Sequence, residues 1–260
     1  MDTDYQSNIS IDGFIRVFPA DEIQPEFQQV VDDVCTTLAD QIGYLLDGIY
    51  LYGSVANASA IPGYSDLDLS LVLRSSASQE EHDKIASIRL VLQARHGEVS
   101  KIDFDIGTRA EVLATENLHS WGYWLRHHCR CLWGNDLSKN FAPFRPSRMI
   151  AMAVNGDFRQ RLAAYATDIG AAKNLLETMR LQKEASRKLI RSTNILRSEH
   201  DQDWPHTLEE HVDRFVLQYP SMGVRIAFFL SQARSPDALP PLFLCQFQYF
   251  ADWMAAASEP

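Results

Sequence analysis

The sequence over residues 49–73 constrains the fold more than any other part of the chain. An apolar stretch ends at Gly53-Ser54, and after eleven further residues a second apolar stretch opens with Asp66-Leu67-Asp68. Because side chains on a strand alternate between faces, Asp66 and Asp68 project together while the leucines project to the other face. Two like charges on one face repel each other unless a cation lies between them, and Mg²⁺ prefers carboxylate oxygens alongside substrate phosphates. The pattern therefore predicts a strand–turn–strand unit that carries a metal–nucleotide site.

The same residues resemble a known signature. Gly-Ser, a spacer of this length and Asp-x-Asp inside an apolar strand are similar to the motif of the DNA polymerase beta-like nucleotidyltransferase superfamily. The segments Tyr52-Gly53-Ser54 and Tyr64-Ser65-Asp66-Leu67-Asp68-Leu69 are most similar to the corresponding segments of bacterial aminoglycoside adenylyltransferases and their relatives. The chain departs from many relatives in carrying Ala56-Asn57-Ala58-Ser59-Ala60 where they have a glycine, and its spacer is slightly longer.

The resemblance implies a first set of site residues. The Gly53-Ser54 turn would open a helix and hold the phosphates of a nucleotide, because glycine lets the backbone approach closely and a helix N-terminus presents free N–H groups. Ser65 is assigned to the same nucleotide-binding set. Asp66 and Asp68 would bind Mg²⁺, with ATP as the co-substrate.

The resemblance also implies a third carboxylate on a neighbouring strand, which completes the metal site or accepts the proton of the attacking hydroxyl. Lys101-Ile102-Asp103-Phe104-Asp105-Ile106 offers two candidates, because its aspartates share one face of a strand. We predict Asp103, since it begins the apolar run of the strand and lies ahead of Glu111, where relatives often carry an acidic residue. Asp105 is the second choice.

Charge and composition limit the classes of partner. The formal net charge of −10 argues against general nucleic-acid binding, which needs a basic surface. An acidic surface suits a cationic acceptor, and it suits an ordinary cytosolic protein equally well. The adjacent residues His127-His128-Cys129-Arg130-Cys131 lack the spacing of a zinc site. No secretory signal begins the sequence and no apolar run reaches membrane-spanning length, so we expect a cytoplasmic protein with reduced thiols and no membrane contact.

The chain is predicted to form two domains, a nucleotidyltransferase α/β domain over 1–146 and a helical domain over 147–260. In the first, helical spacing of apolar residues predicts a helix over 22–46. Strands over 48–52, 66–73 and 100–107 follow, with a capped helix ending at Arg95 between the last two and a further helix from Ala110 to His127. Two prolines make 141–146 a linker. The second domain is predicted to contain helices over 147–167, 171–200, 207–218, 221–232 and 236–257.

One predicted helix is dense in basic residues, over 173–197. Lys188-Leu189-Ile190-Arg191 resembles a Lys-x-x-Arg pattern of related adenylyltransferases, which implies that Lys188 and Arg191 contact the triphosphate. The competing interpretation is a solvated helix face with ordinary ion pairs. For an acceptor pocket, the candidates are Glu111, Trp121 and Trp124.

The sequence therefore predicts an α+β protein, in which a small mixed sheet with its helices precedes an all-helical bundle. The predicted function is Mg²⁺-dependent transfer of a nucleoside monophosphate, AMP from ATP, to a hydroxyl of a small molecule such as an aminoglycoside. Two alternatives remain open: transfer of AMP to a protein or RNA, as in toxin–antitoxin systems, and a catalytically silent nucleotide-binding module.

Overall fold

A computed structural model describes residues 8–259 of the chain, which divide into two compact units. One unit is Ile15–Phe144, and the other contains the residues from Arg145 onward together with the described residues 8–14. The first unit holds every strand described, and the second is helical. The predicted α+β class, a small mixed sheet followed by an all-helical region, is confirmed.

The sheet of the first unit has four strands in the order β3-β2-β1-β4. The strands are β1 (Leu46–Tyr52), β2 (Leu67–Leu73), β3 (Ile102–Thr108) and β4 (Arg130–Gly134). β1 pairs antiparallel with β2 and with β4, while β2 and β3 are parallel. A parallel pair needs a crossover, and helix α3 (Gln79–Arg95) supplies it.

Two helices pack on the apolar face of this sheet. Helix α1 (Pro25–Ile42) begins at a proline, which is favoured in the first turn, and buries its apolar stripe. Helix α3 begins with a capping box, in which the Ser78 hydroxyl accepts from the Glu81 N–H and the Glu81 carboxylate accepts from the Ser78 N–H. Leu67, Leu69, Leu71 and Leu73 all point into this core, as strand alternation predicted.

The opposite face of the sheet carries a smaller core. Its buried members are Tyr50, Val72, Val112, Leu125, Cys129 and Leu137. His127 supports this side structurally, because its Nδ1 lies 3.0 Å from the Arg16 carbonyl and its Nε2 accepts from the Phe144 N–H at 3.0 Å. Burial lowers the pKa of His127, which fits a neutral imidazole between backbone groups.

The prediction of one helix from Ala110 to His127 was wrong. The segment forms α4 (Arg109–Leu113), a 3₁₀ turn (Thr115–Asn117), a π-helical turn (Leu118–Gly122) and α5 (Tyr123–His127). The continuous helix breaks at Ala114, whose backbone is extended. Strand β4 was not predicted, although a helical turn over Gly53–Ala56 (α2) was.

The helical unit has six helices in its described residues. They are α6 (Arg148–Asn155), α7 (Phe158–Ala171), α8 (Leu175–Ser192), α9 (Leu208–Gln218), α10 (Gly223–Arg234) and α11 (Pro240–Ser258). The helix predicted over 147–167 is two helices, separated at Gly156 and Asp157. The helix predicted over 171–200 ends as α8 at Ser192 and continues only as the 3₁₀ turn Thr193–Leu196.

The core of the helical unit is aromatic. Phe229 packs edge-to-face against Phe243 and Phe250, with ring centroids 5.8 and 5.6 Å apart, and all three side chains are fully buried. None of the helices within residues 8–259 combines the length and apolar character that a membrane crossing requires.

Candidate functional site

Four aspartates lie on the polar face of the sheet, where β2 and β3 begin. Asp68 and Asp103 are register partners in the parallel pair, so their side chains stand next to each other on adjacent strands. Asp66 comes directly before β2, and its carboxylate accepts a short hydrogen bond from the Ser100 hydroxyl. Asp105 is one step further along the face, opposite Ser70. The structure thus brings together the carboxylates that the sequence singled out.

The four carboxylates interact electrostatically. Burial and, after it, the negative charges of Asp66, Asp103 and Asp105 together raise the pKa of Asp68 to about 7, against the opposing effect of Lys101. Such a shift shows that a carboxylate at this position is costly to ionise without a positive partner. A cation beside Asp68 would supply that partner.

Gly53 connects β1 to this acidic group by close contact. Its φ is +75°, a left-handed conformation that favours glycine. A Cβ built on Gly53 would lie 2.3 Å from the Oδ2 of Asp68, so any side chain here would collide with that carboxylate. Helix α2 begins at Gly53, and the half-buried Ser54 follows within its first turn. The Gly-Ser turn is therefore in direct contact with strand β2 at Asp68.

The loop between β1 and β2 is fixed by its own hydrogen bonds. The Ser65 hydroxyl accepts from the Ile61 N–H at 2.9 Å, and the Ser65 carbonyl accepts from the Ser100 N–H at 3.0 Å. Ala58 has a φ of 52°, which lies in the left-handed region although it carries a Cβ. This residue lies in the Ala56–Ala60 segment, where the chain carries no glycine.

The two candidates for the third carboxylate have different partners. Asp103 accepts from the Lys101 ammonium at 2.5 Å, whereas Asp105 accepts from the Tyr52 hydroxyl at 2.7 Å. Burial and the adjacent Asp105 charge both raise the pKa of Tyr52, so its hydroxyl stays protonated and able to donate. The Tyr52–Asp105 bond was not predicted. Strand alternation alone places Tyr52 on the polar face, but it does not give the order of the strands.

Within residues 8–259, no three His, Cys, Asp or Glu side chains are grouped closely enough to hold a metal ion by themselves. The chemistry of the site nevertheless fits Mg²⁺. All of its donors are carboxylate oxygens, and Mg²⁺ is usually bound through one or two carboxylates plus substrate phosphates, not through a complete protein cage. The raised pKa of Asp68 is the second indication of a missing positive charge.

The aromatic candidates have distinct surroundings. Trp121 packs against Gly107, where a Cβ would lie 2.5 Å from its ring. Trp124 stacks on His128 with ring centroids 4.7 Å apart and meets the edge of Tyr52 at 5.0 Å. Glu111 closes the capping box of α4 with Thr108, and these hydrogen bonds lower the pKa of its carboxyl. Glu111 therefore has a structural role at the helix start.

The two cations predicted to contact phosphate lie on α8 of the helical unit. The Lys188 ammonium is 2.8 Å from the Asp157 carboxylate and 3.3 Å from the Asn155 side-chain oxygen. Arg191 is exposed one turn further along, near the end of the helix. Lys188 is mostly buried and forms an ion pair with an acidic residue of its own unit, as the competing interpretation of ordinary ion pairs expected, although its own side chain is not solvated.

The fold described here, a small mixed sheet with aspartates at the strand starts and a helical region after it, is similar to one solved structure. The solved structure of spectinomycin adenyltransferase AAD(9) from Enterococcus faecialis, with ATP and spectinomycin, matches with a TM-score of 0.61. The match covers 87% of this chain and 98% of that chain at 14% sequence identity, and it shows a shared fold. No family model and no curated protein matches the sequence.

Proposed function

We propose that this protein transfers AMP from ATP to a hydroxyl group of a small-molecule acceptor. The observation that carries the proposal is the contact of Gly53 with Asp68, on a strand whose next neighbour presents Asp103. This arrangement sets a turn whose left-handed backbone favours glycine beside a cluster of carboxylates, where a cation would offset their charge. The fold shared with an adenyltransferase supports the same function.

Each residue of the site has a proposed role. Asp66 and Asp68 would hold Mg²⁺ together with the nucleotide phosphates, and Gly53, Ser54 and Ser65 would bind the nucleotide. Bound magnesium supplies positive charge that offsets the charge of the phosphates as the leaving group departs.

In the transfer step, the acceptor oxygen forms a bond to the α-phosphorus, the bond from that phosphorus to the bridging oxygen breaks, and pyrophosphate leaves. Asp103 would complete the cation site or accept the proton of the attacking hydroxyl. We favour Asp103 over Asp105 because Asp103 is the register partner of Asp68, whereas Asp105 already accepts from Tyr52. Lys188 and Arg191 would contact the phosphates, and Lys188 would exchange its contact with Asp157 for one with phosphate.

The acceptor is proposed to be a small polyhydroxylated amine of the aminoglycoside type. Two observations support this class: the matched adenyltransferase was solved with spectinomycin, and the chain carries a net charge of −10, which favours a cationic acceptor. The net charge also disfavours a nucleic acid as the acceptor.

The test uses ATP labelled at its α-phosphate, with Mg²⁺ and a panel of acceptors. The panel contains spectinomycin, other aminoglycosides, whole-cell protein and tRNA. We expect label in one or more small molecules, and a loss of about 100-fold in Asp66→Asn and Asp68→Asn, because each change removes a proposed cation ligand. Asp83→Asn, at an exposed carboxylate on α3, is the matched control and should keep full activity.

The other outcomes of this assay select the alternatives. Label in protein or tRNA would indicate transfer to a macromolecule. Magnesium-dependent binding of ATP without transfer to any acceptor would indicate a nucleotide-binding module. Full activity in Asp68→Asn would contradict the proposed cation site.

A further inference from the structure

Tyr52 makes a contact that its place in the sheet does not require. It is the register partner of Asp68 on the neighbouring strand β2, yet its hydroxyl donates to Asp105 on β3, one strand further away. The phenol ring therefore extends across the polar face of β2 to reach Asp105. Trp124 packs against this ring in a T-shaped arrangement with centroids 5.0 Å apart, so the ring is held from a second side.

The hydrogen bond sets the place of the Asp105 carboxylate. Asp105 lies opposite Ser70, two residues along the strand from the Asp68–Asp103 pair, a distance of roughly 7 Å. Free of Tyr52, its carboxylate would be available as a fourth carboxylate ligand for a cation held at Asp66, Asp68 and Asp103.

We propose that Tyr52 is a positioning residue that holds Asp105 out of the ligand set of the cation, and that this restraint favours Mg²⁺ over Ca²⁺. The inference rests on the proposed function, since it concerns the cation site used there. Mg²⁺ requires compact octahedral coordination with few carboxylates, whereas Ca²⁺ accepts six to eight oxygens in a flexible arrangement. A fourth mobile carboxylate therefore benefits Ca²⁺ more than Mg²⁺.

The experiment measures the affinities for Mg²⁺ and Ca²⁺ separately, by titration calorimetry of the full chain without nucleotide. Tyr52→Phe keeps the ring and its packing on Trp124 and removes only the hydroxyl. We expect the preference for Mg²⁺ over Ca²⁺, expressed as the ratio of the two dissociation constants, to fall about tenfold, because the freed carboxylate adds a ligand for the more flexible ion. Adding Asp105→Asn to Tyr52→Phe should restore the original ratio.

Tyr50→Phe is the matched control. Tyr50 lies on the same strand and face, but its hydroxyl donates to the Asn135 carbonyl at 2.5 Å and accepts from the Leu137 N–H at 3.0 Å, with no carboxylate involved. This variant should melt at a lower temperature and keep the cation preference of the original protein. A general effect of losing a buried hydroxyl would instead change the preference in both tyrosine variants.

The outcomes separate this inference from the proposed function. An unchanged ratio in Tyr52→Phe overturns the inference, and so does a lowered ratio that persists after Asp105→Asn is added. A cation preference that depends on Tyr52 and Asp105 in a protein that transfers nothing supports the inference and contradicts the proposed function. Failure of the unaltered protein to bind either ion overturns both.

Discussion

Two glycines between β1 and β2 show how one backbone conformation serves different purposes. Gly53 and Gly63 have nearly the same φ, +75° and +77°. Around Gly63 a Cβ would meet nothing within 4 Å, whereas at Gly53 it would meet Asp68 at 2.3 Å. Gly63 is therefore needed only for its backbone conformation, and Gly53 is needed also for its lack of a side chain beside the carboxylate.

This difference gives a direct prediction for alanine substitutions. Gly63→Ala should cost about 1–2 kcal/mol of stability, the cost of the left-handed conformation alone. Gly53→Ala should cost more and should displace Asp68, with a loss of transfer activity of at least about 10-fold because the cation ligand moves. Thermal unfolding and the labelled-ATP assay measure the two effects. Equal activity in the two variants would contradict the role assigned to Gly53.

Residue patterns predicted which residues belong to the candidate site, but not the hydrogen bonds and ion pairs that these residues form. Alternation in 66–73 and 102–106 places four aspartates on one face, and the structure has them there. The Tyr52–Asp105 bond depends on β2 lying between β1 and β3, and that order arises from long-range pairing that no local pattern encodes. The contact of Lys188 with Asp157 likewise joins two helices whose packing the sequence does not specify.

At the scale of elements, local signals were reliable where they were strong. The capping boxes at Ser78 and Thr207 begin helices α3 and α9, and Pro25 begins α1. The segment 109–134 has one such signal, the capping box of Thr108 and Glu111, and the helix that it begins ends after five residues. Its helical pieces are stabilised by packing on the sheet, and β4 is a five-residue edge strand defined by its pairing with β1. Tertiary contacts determine structure there, so periodicity predicted it poorly.

Helix α9 contains a buried titratable group with a consequence for stability. Burial and, after it, the nearby charges of Arg191, His206, Arg214 and Arg197 together lower the pKa of His211 to about 3. Its Nδ1 has no hydrogen-bond partner. The folded protein therefore keeps His211 neutral, whereas the unfolded chain protonates it at its ordinary pKa.

From this difference we predict that stability falls on acidification. Above the unfolded-state pKa, near 6.5, neither state binds the proton and nothing is lost. Below this pKa the unfolded state gains the proton and the folded state does not. The His211 side chain should therefore lower the free energy of unfolding by about 3 kcal/mol between pH 7 and pH 4. Chemical denaturation measures the free energy of unfolding at each pH across this range. In His211→Asn this free energy should change less with pH than in the unaltered protein.

The matched control for this prediction is His82→Asn, at an exposed position on α3. His127 and His206 also have pKa values lowered by burial and contribute in the same direction, so the difference in slope between the variants is the quantity to compare. Equal slopes in His211→Asn and the unaltered protein would contradict the assignment.

At the scale of the whole molecule, each unit has a core of its own. The helices α1 and α3 bury the leucines of the sheet in one unit, and phenylalanines of α10 and α11 form the centre of the other. Prolines at 143 and 146 indicated a division of the chain near this point, but no pattern indicated that residues 8–14 belong with the helical unit. That assignment depends on contacts between residues distant in sequence, which composition does not reveal.

Asn8 provides the main polar contact of this N-terminal segment. Its side-chain amide donates to the Glu210 carboxylate at 2.7 Å and to the Trp204 carbonyl at 3.1 Å. The same Glu210 oxygen accepts from the backbone N–H groups of His206 and Thr207, so Asn8 joins the hydrogen bonds that begin α9. At the other end of the segment, the Arg145 guanidinium lies 4.4 Å above the ring of Phe14.

We therefore predict that Asn8→Ala lowers the stability of the helical unit by about 1–3 kcal/mol, the range for a hydrogen bond to a charged group. Native-state hydrogen exchange should show reduced protection in α9, because exchange reports local opening one segment at a time. Amides of β1, β2 and β3 should keep their protection, since the Asn8 amide donates to Trp204 and Glu210 of the unit that contains α9. Asp12→Ala, at an exposed position in the same segment, should change neither. Reduced protection in the strands with α9 unaffected would show that the segment belongs to the sheet, and the division of the chain would then have to be redrawn.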